Sequence, residues 1–550
     1  MARDLRDPDI DAGAAVMVRN APAAGSFFSS KKETDQSLKP AALEAPSLVE
    51  YGTRRTIIVV GIMLAVLLEI LDTTIVNVAL PTLQGNMGLD FEEASWVVTG
   101  YLIAVIIALP LVPWLESLLG RKRYCVYAIV GFTIASAACG TAQSYEALVA
   151  FRVVQGLCGG GILTVARSIL RDTFPPEQLG RSQGLLSLGA VVGPSIGPTV
   201  GGILTDSFSW RWIFFINVVP GIVSALLLWS TLQEPRRQAL SADAIGLVLM
   251  VVGLGSLQYV LENGEQYDWL GDIRIVVFMT LAVICTTAFA VWEWYGTSHP
   301  IVDLKILRRP AVAMGSVLSF GLGFTLFVGI VLGPQFSQGI LGFTATLSGN
   351  QVLLRAVAIA AFIPIAVISL VRFRIAPRLL LAAGFALIGI AGLGMSASTT
   401  PVSDFWSFGW PLAIGGFGFG LLFVPLSVAV LATVQGDDTS KASSMLSLSQ
   451  QLGASFSTAV IVTIIERRTA FHLDHLATAM TINRPAVAAF LVAHGSTADL
   501  ALMVQRQATT LGFADANFIG GLAAFAMIPV ALLFRTRSLS PSQTSQSTEP

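Results

Sequence analysis

Fourteen apolar stretches divide most of this chain, and no other feature restricts its fold so strongly. They run approximately over 56–80, 95–115, 124–142, 146–170, 183–205, 212–232, 244–262, 273–295, 312–333, 349–371, 378–397, 407–433, 443–465 and 515–535. A helix of roughly 20 apolar residues matches the hydrocarbon thickness of a bilayer. Inside that hydrocarbon every backbone N–H and C=O must be satisfied within the protein, which a helix does by itself. Composition agrees: of 550 residues 54% are hydrophobic and 12% charged, against about 25% charged in an average soluble domain. The expectation is an all-α integral membrane protein with 14 transmembrane helices.

The loops test that count. With a cytoplasmic N-terminus, Lys and Arg should collect in the loops after even-numbered helices. Those loops hold Arg121, Lys122, Arg123, Arg171, Arg181, Arg236, Arg237, Lys305, Arg308, Arg309, Arg372, Arg374, Arg378 and Lys441, whereas the short loops after odd-numbered helices hold only Arg211 and Arg274. Both termini are therefore expected in the cytoplasm. Residues 1–54 mix both charge signs with scattered prolines and lack the apolar core of a signal peptide, so a disordered tail is expected; 538–550 is a polar, low-complexity tail. Residues 466–514 form a long outer connection with a helix-compatible pattern. They carry His472, His475 and His494, without the further ligand a metal site needs. A docking or interfacial segment is the reading preferred there.

Residues 184–202 read GLLSLGAVVGPSIGPTVGG. Gly184, Gly193, Gly197, Pro198, Gly201 and Gly202 repeat inside an apolar run. Such a comb breaks a helix in water, but in a membrane it permits a bend or the close approach of a partner helix. Charges at membrane depth are the second signal, because each costs about 2.5–3.5 kcal/mol on insertion and so faces a cavity or a partner. Helix one contains EILDTTIVNVALP (69–81), with Glu69, Asp72 and Asn77; its carboxylates either bind protons or cations, or form a structural ion pair. Helix four contains FRVVQGLCGGG (151–161), where Arg152 and Gln155 share a face. A helix-one carboxylate is the natural partner of Arg152, either as a static pair or as one that protonation weakens. Arg355, in the tenth span, is able to pair with a carboxylate or to bind an anionic group. Gly120, Arg121 and Lys122 form the loop between helices two and three, whose basic cluster follows from topology alone.

Other chemistry is excluded or unsupported. Cys125, Cys139, Cys158 and Cys285 lie in apolar runs without metal-ligand spacing. GGFGFG (415–420) sits inside a membrane helix with no preceding strand, there is no Walker motif, and no catalytic grouping is present. The chain is expected to be no enzyme and to need no cofactor or metal. A net charge of −1 gives no reason to expect a nucleic-acid partner.

At LDTTIVNVALP, RVVQGLCGGG, the glycine comb, WRWIFFINVVPG (210–221) and GLLFVPLS (420–427), the chain resembles the major facilitator superfamily, in its fourteen-helix drug:proton antiporter branch of EmrB/QacA-like exporters. The resemblance covers about 55–537. It implies a major facilitator fold with a six-helix bundle at 55–232, two linking helices at 233–300 and a second bundle at 301–537. It also implies alternating access, export driven by proton entry, and coupling roles for Asp72 and Arg152. A bacterial inner-membrane location is implied too, with a periplasmic adaptor and an outer-membrane channel as partners of some members. The helix 2–3 loop departs from the pattern, with Pro113 and Ser117 where the family has Gly and Asp. The expected activity is efflux of amphipathic, cationic or neutral aromatic molecules against protons. A dedicated exporter of one metabolite or siderophore is the alternative, and a non-transporting receptor or scaffold a remote one.

Overall fold

A computed structural model describes residues 49–534, apart from 90, 234–242, 298–299, 435–437, 481–483 and 495–496. Several helical side chains, those of Pro198 and His494 among them, also lie outside the described residues. So do Arg236, Arg237 and both expected tails, except for residues 49–54.

Helices account for nearly all of the described chain. They begin with α1 (Gly52–Met87), α2 (Phe91–Leu119) and α3 (Arg121–Thr141). The fourth span is two helices, α4 (Tyr145–Gly159) and α5 (Ile162–Thr173), interrupted at Gly160–Gly161. After α6 (Leu179–Ser207), the next span is again divided, into α7 (Trp212–Phe215) and α8 (Val218–Thr231). Then follow α9 (Ala244–Asn263), α10 (Ile273–Val291), α11 (Pro310–Gly339), α12 (Ala345–Val371), α13 (Pro377–Ser398) and α14 (Phe405–Leu431). The chain closes with α15 (Asp438–Ala479), α16 (Pro485–His494) and α17 (Thr497–Leu533). Thirteen spans among the described residues are long and apolar enough to cross a membrane, and α6 occupies the remaining expected position.

Packing sorts these helices into two groups. Within α1–α8, α1 lies against α6 and α8, α2 against α4, and α3 against α4 and α8. Within α11–α17, α11 lies against α15 and α17, α12 against α14, and α13 against α14 and α17. The pair α9 and α10 pack on each other, with α9 also touching α2 and α15. Counted as spans, this is the expected arrangement of two six-helix groups with two additional helices.

The glycine comb is a packing surface on an unbroken helix. A methyl added at Gly193 would stand 2.9 Å from Ile70, and one at Gly201 2.7 Å from Ile75, both on α1. One at Gly197 would overlap the Thr74 hydroxyl. Gly184, at the other end of the comb, instead faces Val367 and Ile363 of α12 in the second group. The comb thus serves two partners. Gly202 is half-buried.

One end of the molecule is basic and tied shut. Gly120 turns the chain between α2 and α3 at φ 86°. There Arg121 pairs with Glu116 and Asp172, and the Lys122 ammonium lies over the Trp229 ring. Across the two groups, Arg171 donates to the Val434 carbonyl (2.6 Å) and Ser444 to the Leu109 carbonyl (2.7 Å). Arg309 pairs with Asp438, and Lys441 with Asp303, at the same end.

At the opposite end residues 466–514 differ from the expected long connection, being mostly helical. Thr463 of α15 still meets Glu265 beside the α9–α10 junction (2.7 Å). Beyond it α15 runs on for roughly four turns, about 24 Å, and returns through α16 into α17. Arg468 and His472 both contact Asp515 Oδ2, at 2.5 and 2.9 Å, which holds the two long helices together. Helix periodicity was visible in this stretch, but its continuity with the flanking membrane spans is set by the antiparallel partner.

Candidate functional site

Helix one presents two carboxylates three residues apart, and the fold sends them to different surroundings. Asp72 is fully buried and accepts from Arg152 Nη1 (2.6 Å), Gln155 Nε2 (2.9 Å) and Asn217 Nδ2 (3.0 Å). Arg152 also donates Nε–H to the Val97 carbonyl (3.0 Å) and Nη1–H to Gln155 (2.8 Å), with its guanidinium 4.1 Å from the Tyr101 ring centroid. Asn217 reaches on to Ser136 (3.1 Å), which donates to the Phe214 carbonyl (2.8 Å). Five spans, α1, α2, α3, α4 and α7–α8, are stitched together through this one pair. Glycine makes the approach possible. Gly156 of α4 and Gly160 just past its end lie so close to Tyr101, Ala104 and Val105 of α2 that any side chain would collide.

Glu69 lies one helical turn away on α1 and lines a cavity of about 230 Å³ between the two helix groups. Its carboxylate accepts the Leu163 backbone N–H at 2.8 Å. That N–H is free because the Gly160–Gly161 interruption makes Leu163 part of the first turn of α5, where N–H groups have no intrahelical partner. A carboxylate there also meets the positive end of the helix dipole. One turn further along α5, buried Arg167 lines the same cavity and sets a positive charge within electrostatic reach of Glu69. Arg167 reaches across the cavity to α15, donating to Ser447 (2.9 Å) and Gln450 (3.3 Å). Beside it, the hydroxyls of Ser168 and Ser443 stand 3.5 Å apart.

The rest of the lining is mixed. Tyr101, Phe327 and Phe423 supply aromatic surface, and Gln183, Gln450 and Gln451 supply amides. Asn77 and Arg152 also line the cavity, while Asp72 is not among its lining residues. The arrangement therefore separates a buried carboxylate, Asp72, screened from the cavity behind Arg152, from one, Glu69, that has room for a proton or a cargo group beside it.

Arg355 goes elsewhere. It lines a second cavity, of about 60 Å³, inside the α11–α17 group. In the basic loop, the family's acidic position is occupied by Ser117, yet Glu116 one residue earlier brings a carboxylate to Arg121. His472 meets Asp515, and His475 the Phe471 carbonyl. Among the described residues no group of three or more His, Cys, Asp or Glu is placed to hold a metal ion.

Arg167, Asn217, Tyr101 and Gln450 were not singled out from the sequence. Arg167 carried a usable signal, being the second arginine inside the 146–170 span. Asn217 is a lone amide in an aromatic run, and nothing local points to Asp72 as its partner.

A family model described as Major Facilitator Superfamily matches residues 62–458. The multidrug export protein EmrB of Escherichia coli (strain K12) is 33% identical over 427 residues, covering 76% of this chain and 82% of that protein. The fatty acid resistance protein FarB of Neisseria gonorrhoeae is 33% identical over 424 residues, with 76% and 82% coverage. Among solved structures, the human organic anion transporter MFSD10 (TETRAN) aligns with a TM-score of 0.57 at 13% identity, covering 86% of this chain and 99% of that one. The proton:xylose symporter XylE aligns with a TM-score of 0.54 at 15% identity, covering 86% and 96%.

Proposed function

This chain belongs to the Major Facilitator Superfamily, a multi-pass membrane transporter and not an enzyme, and from that premise we propose that it exports small amphipathic molecules in exchange for protons. The observation that carries the reading is the position of Glu69, which lines the inter-bundle cavity while capping α5, the segment that bridges to α15. Asp72 and Arg152 hold α1 against α4 in this mechanism, and Glu69 is the group that changes charge.

Protonation of Glu69 removes a charged acceptor from the start of α5 and a counter-charge from Arg167. Both losses loosen α5 against α1 and release Arg167 to rearrange on α15, the helix that α5 meets where the basic end is closed. Deprotonation, or a cationic cargo group beside the carboxylate, restores the balance. A membrane potential supplies about 2.3 kcal/mol per charge per 100 mV, enough to bias such a two-state element. The mixed aromatic and amide lining suits cationic or neutral aromatic cargo.

The charge distribution supports a bacterial inner-membrane placement with the basic end and both termini in the cytoplasm. The helical extension of α15–α17 would then project into the periplasm, where it is available to an adaptor leading to an outer-membrane channel. A second reading, an amphipathic carboxylic acid as cargo, is favoured by Arg167, whose charge is uncompensated whenever Glu69 is protonated; FarB is a relative named for fatty acid resistance.

The test is ethidium accumulation in efflux-deficient bacteria expressing the chain. Lower accumulation that an uncoupler abolishes is expected, and Glu69→Gln should reduce the gradient-dependent efflux at least tenfold at equal membrane abundance. Unchanged efflux in that variant would remove Glu69 from coupling. Protection against medium-chain fatty acids without ethidium efflux would favour the second reading.

A further inference from the structure

Arg355 is a buried cation that forms no ion pair with an acid among the described residues. Its side chain is 5% exposed, at the centre of α12. It donates one hydrogen bond, Nη2–H to the Leu326 carbonyl at 3.2 Å, and its guanidinium lies 4.7 Å from the Phe419 ring centroid. No ion pair joins it to an acid among the described residues. The sequence explains why: α11, α12, α13 and α14 contain no aspartate or glutamate. Asp515 of α17 is engaged by Arg468 and His472, and Asp499 stands 18 positions before Asn517 on the same helix, roughly 27 Å along its axis.

The space around it is built to accommodate the guanidinium. At Gly329 an added methyl would stand 2.6 Å from Arg355 Nη1, so glycine there lets the guanidinium keep its present position. Arg355 lines a cavity of about 60 Å³ together with Thr325, Asn517, Met395, Leu412 and Phe419. A single water needs roughly 10–15 Å³ of such space. Thr325 spends its hydroxyl proton on α11 carbonyls, while Asn517 donates to the Phe513 carbonyl. Neither neutralises a charge. An arginine stays protonated, and a buried charge without a partner is strongly unfavourable in a low-dielectric interior.

We propose that this cavity binds a compact monovalent anion, held by the free N–H groups of Arg355 with Asn517 and Thr325 beside it. A halide and the head of a short carboxylic acid share the required chemistry: one negative charge, small volume and hydrogen-bond acceptance. The site is separate from the Glu69 cavity and does not rest on the export reading. Its consequence is that the second bundle reaches full stability only with the anion bound.

The test is thermal unfolding of the purified full chain against sodium chloride or sodium formate, with ionic strength kept constant by sodium gluconate, whose bulk exceeds the cavity. Binding to the folded state alone gives a saturable rise, roughly 3–6 °C at a hundredfold excess over Kd, whereas general salt effects rise without saturation. Arg355→Met should abolish the saturable component. Asn517→Leu, which fills the cavity while keeping the arginine, should weaken it at least tenfold and covers the case in which Arg355→Met fails to fold. Saturation with chloride alone identifies a halide site, and saturation with formate a carboxylate site. A wild-type protein without a saturable response, or an undiminished response in Asn517→Leu, overturns the proposal.

Discussion

At the residue scale, the two carboxylates of α1 illustrate how burial divides labour between identical chemistries. Asp72 has three donors on it and no exposure, so its charge is fully engaged by Arg152, Gln155 and Asn217. Removing one member of a buried pair strands the other, at a cost of about 3–5 kcal/mol. Asp72→Asn should therefore lower the melting temperature of the purified protein by several degrees. The Asp72→Asn, Arg152→Gln double variant should lose less than the sum of the single changes. Additive losses would show that the pair does not act as a unit. Glu69 has a single backbone donor and a cavity beside it, so the same neutralisation there should affect transport far more than stability.

At the element scale, α6 turns a sequence that breaks soluble helices into a surface with two partners. Its three glycines at 193, 197 and 201 recur every four residues, which puts them on one face. That face meets Ile70, Thr74 and Ile75 of α1 at backbone-to-side-chain distance. Close approach of this kind is what small residues contribute where lipid offers no hydrophobic drive. Gly197→Val should separate α1 from α6 and reduce efflux at least tenfold, read as ethidium accumulation at equal membrane abundance. Gly202→Ala, at a half-buried position, should be tolerated. Equal effects of the two changes would argue against a specific α1–α6 seam.

At the scale of the whole molecule, the two groups meet at the basic end through α5 and α15 and enclose the Glu69 cavity. Contact there joins residues more than 250 positions apart, such as Arg171 with Val434 and Ser168 with Ser443. If transport requires this end to open, tethering it must stop transport. In a chain with its four free cysteines replaced, Ser168→Cys with Ser443→Cys should cross-link on oxidation, since the two hydroxyls stand 3.5 Å apart. Efflux should fall at least tenfold when the bond forms and return with reductant. Full efflux from a completely cross-linked protein would exclude opening at this end.

Much of the architecture was legible from local composition. Membrane insertion is decided segment by segment from summed hydropathy, so each helical position, the comb and the charges at depth could be read without knowing any contact. Glu69, Asp72, Arg152 and Arg355 stood out for the same reason, each being costly in lipid. Their partners did not. Which carboxylate meets Arg152 depends on which faces of α1 and α4 turn together, across 80 positions of chain, and Arg167 gains its meaning only from Ser447, 280 positions away. The helix-compatible pattern of 466–514 was visible, but not its continuity with the flanking spans, which antiparallel packing of α15 on α17 supplies. Hydropathy and charge along the chain are enough to specify a bundle of membrane helices carrying a few expensive charges. Only the tertiary structure decided which charges are sealed, which face a cavity and which remains without a partner, because those outcomes follow from inter-helix geometry that hydropathy does not encode.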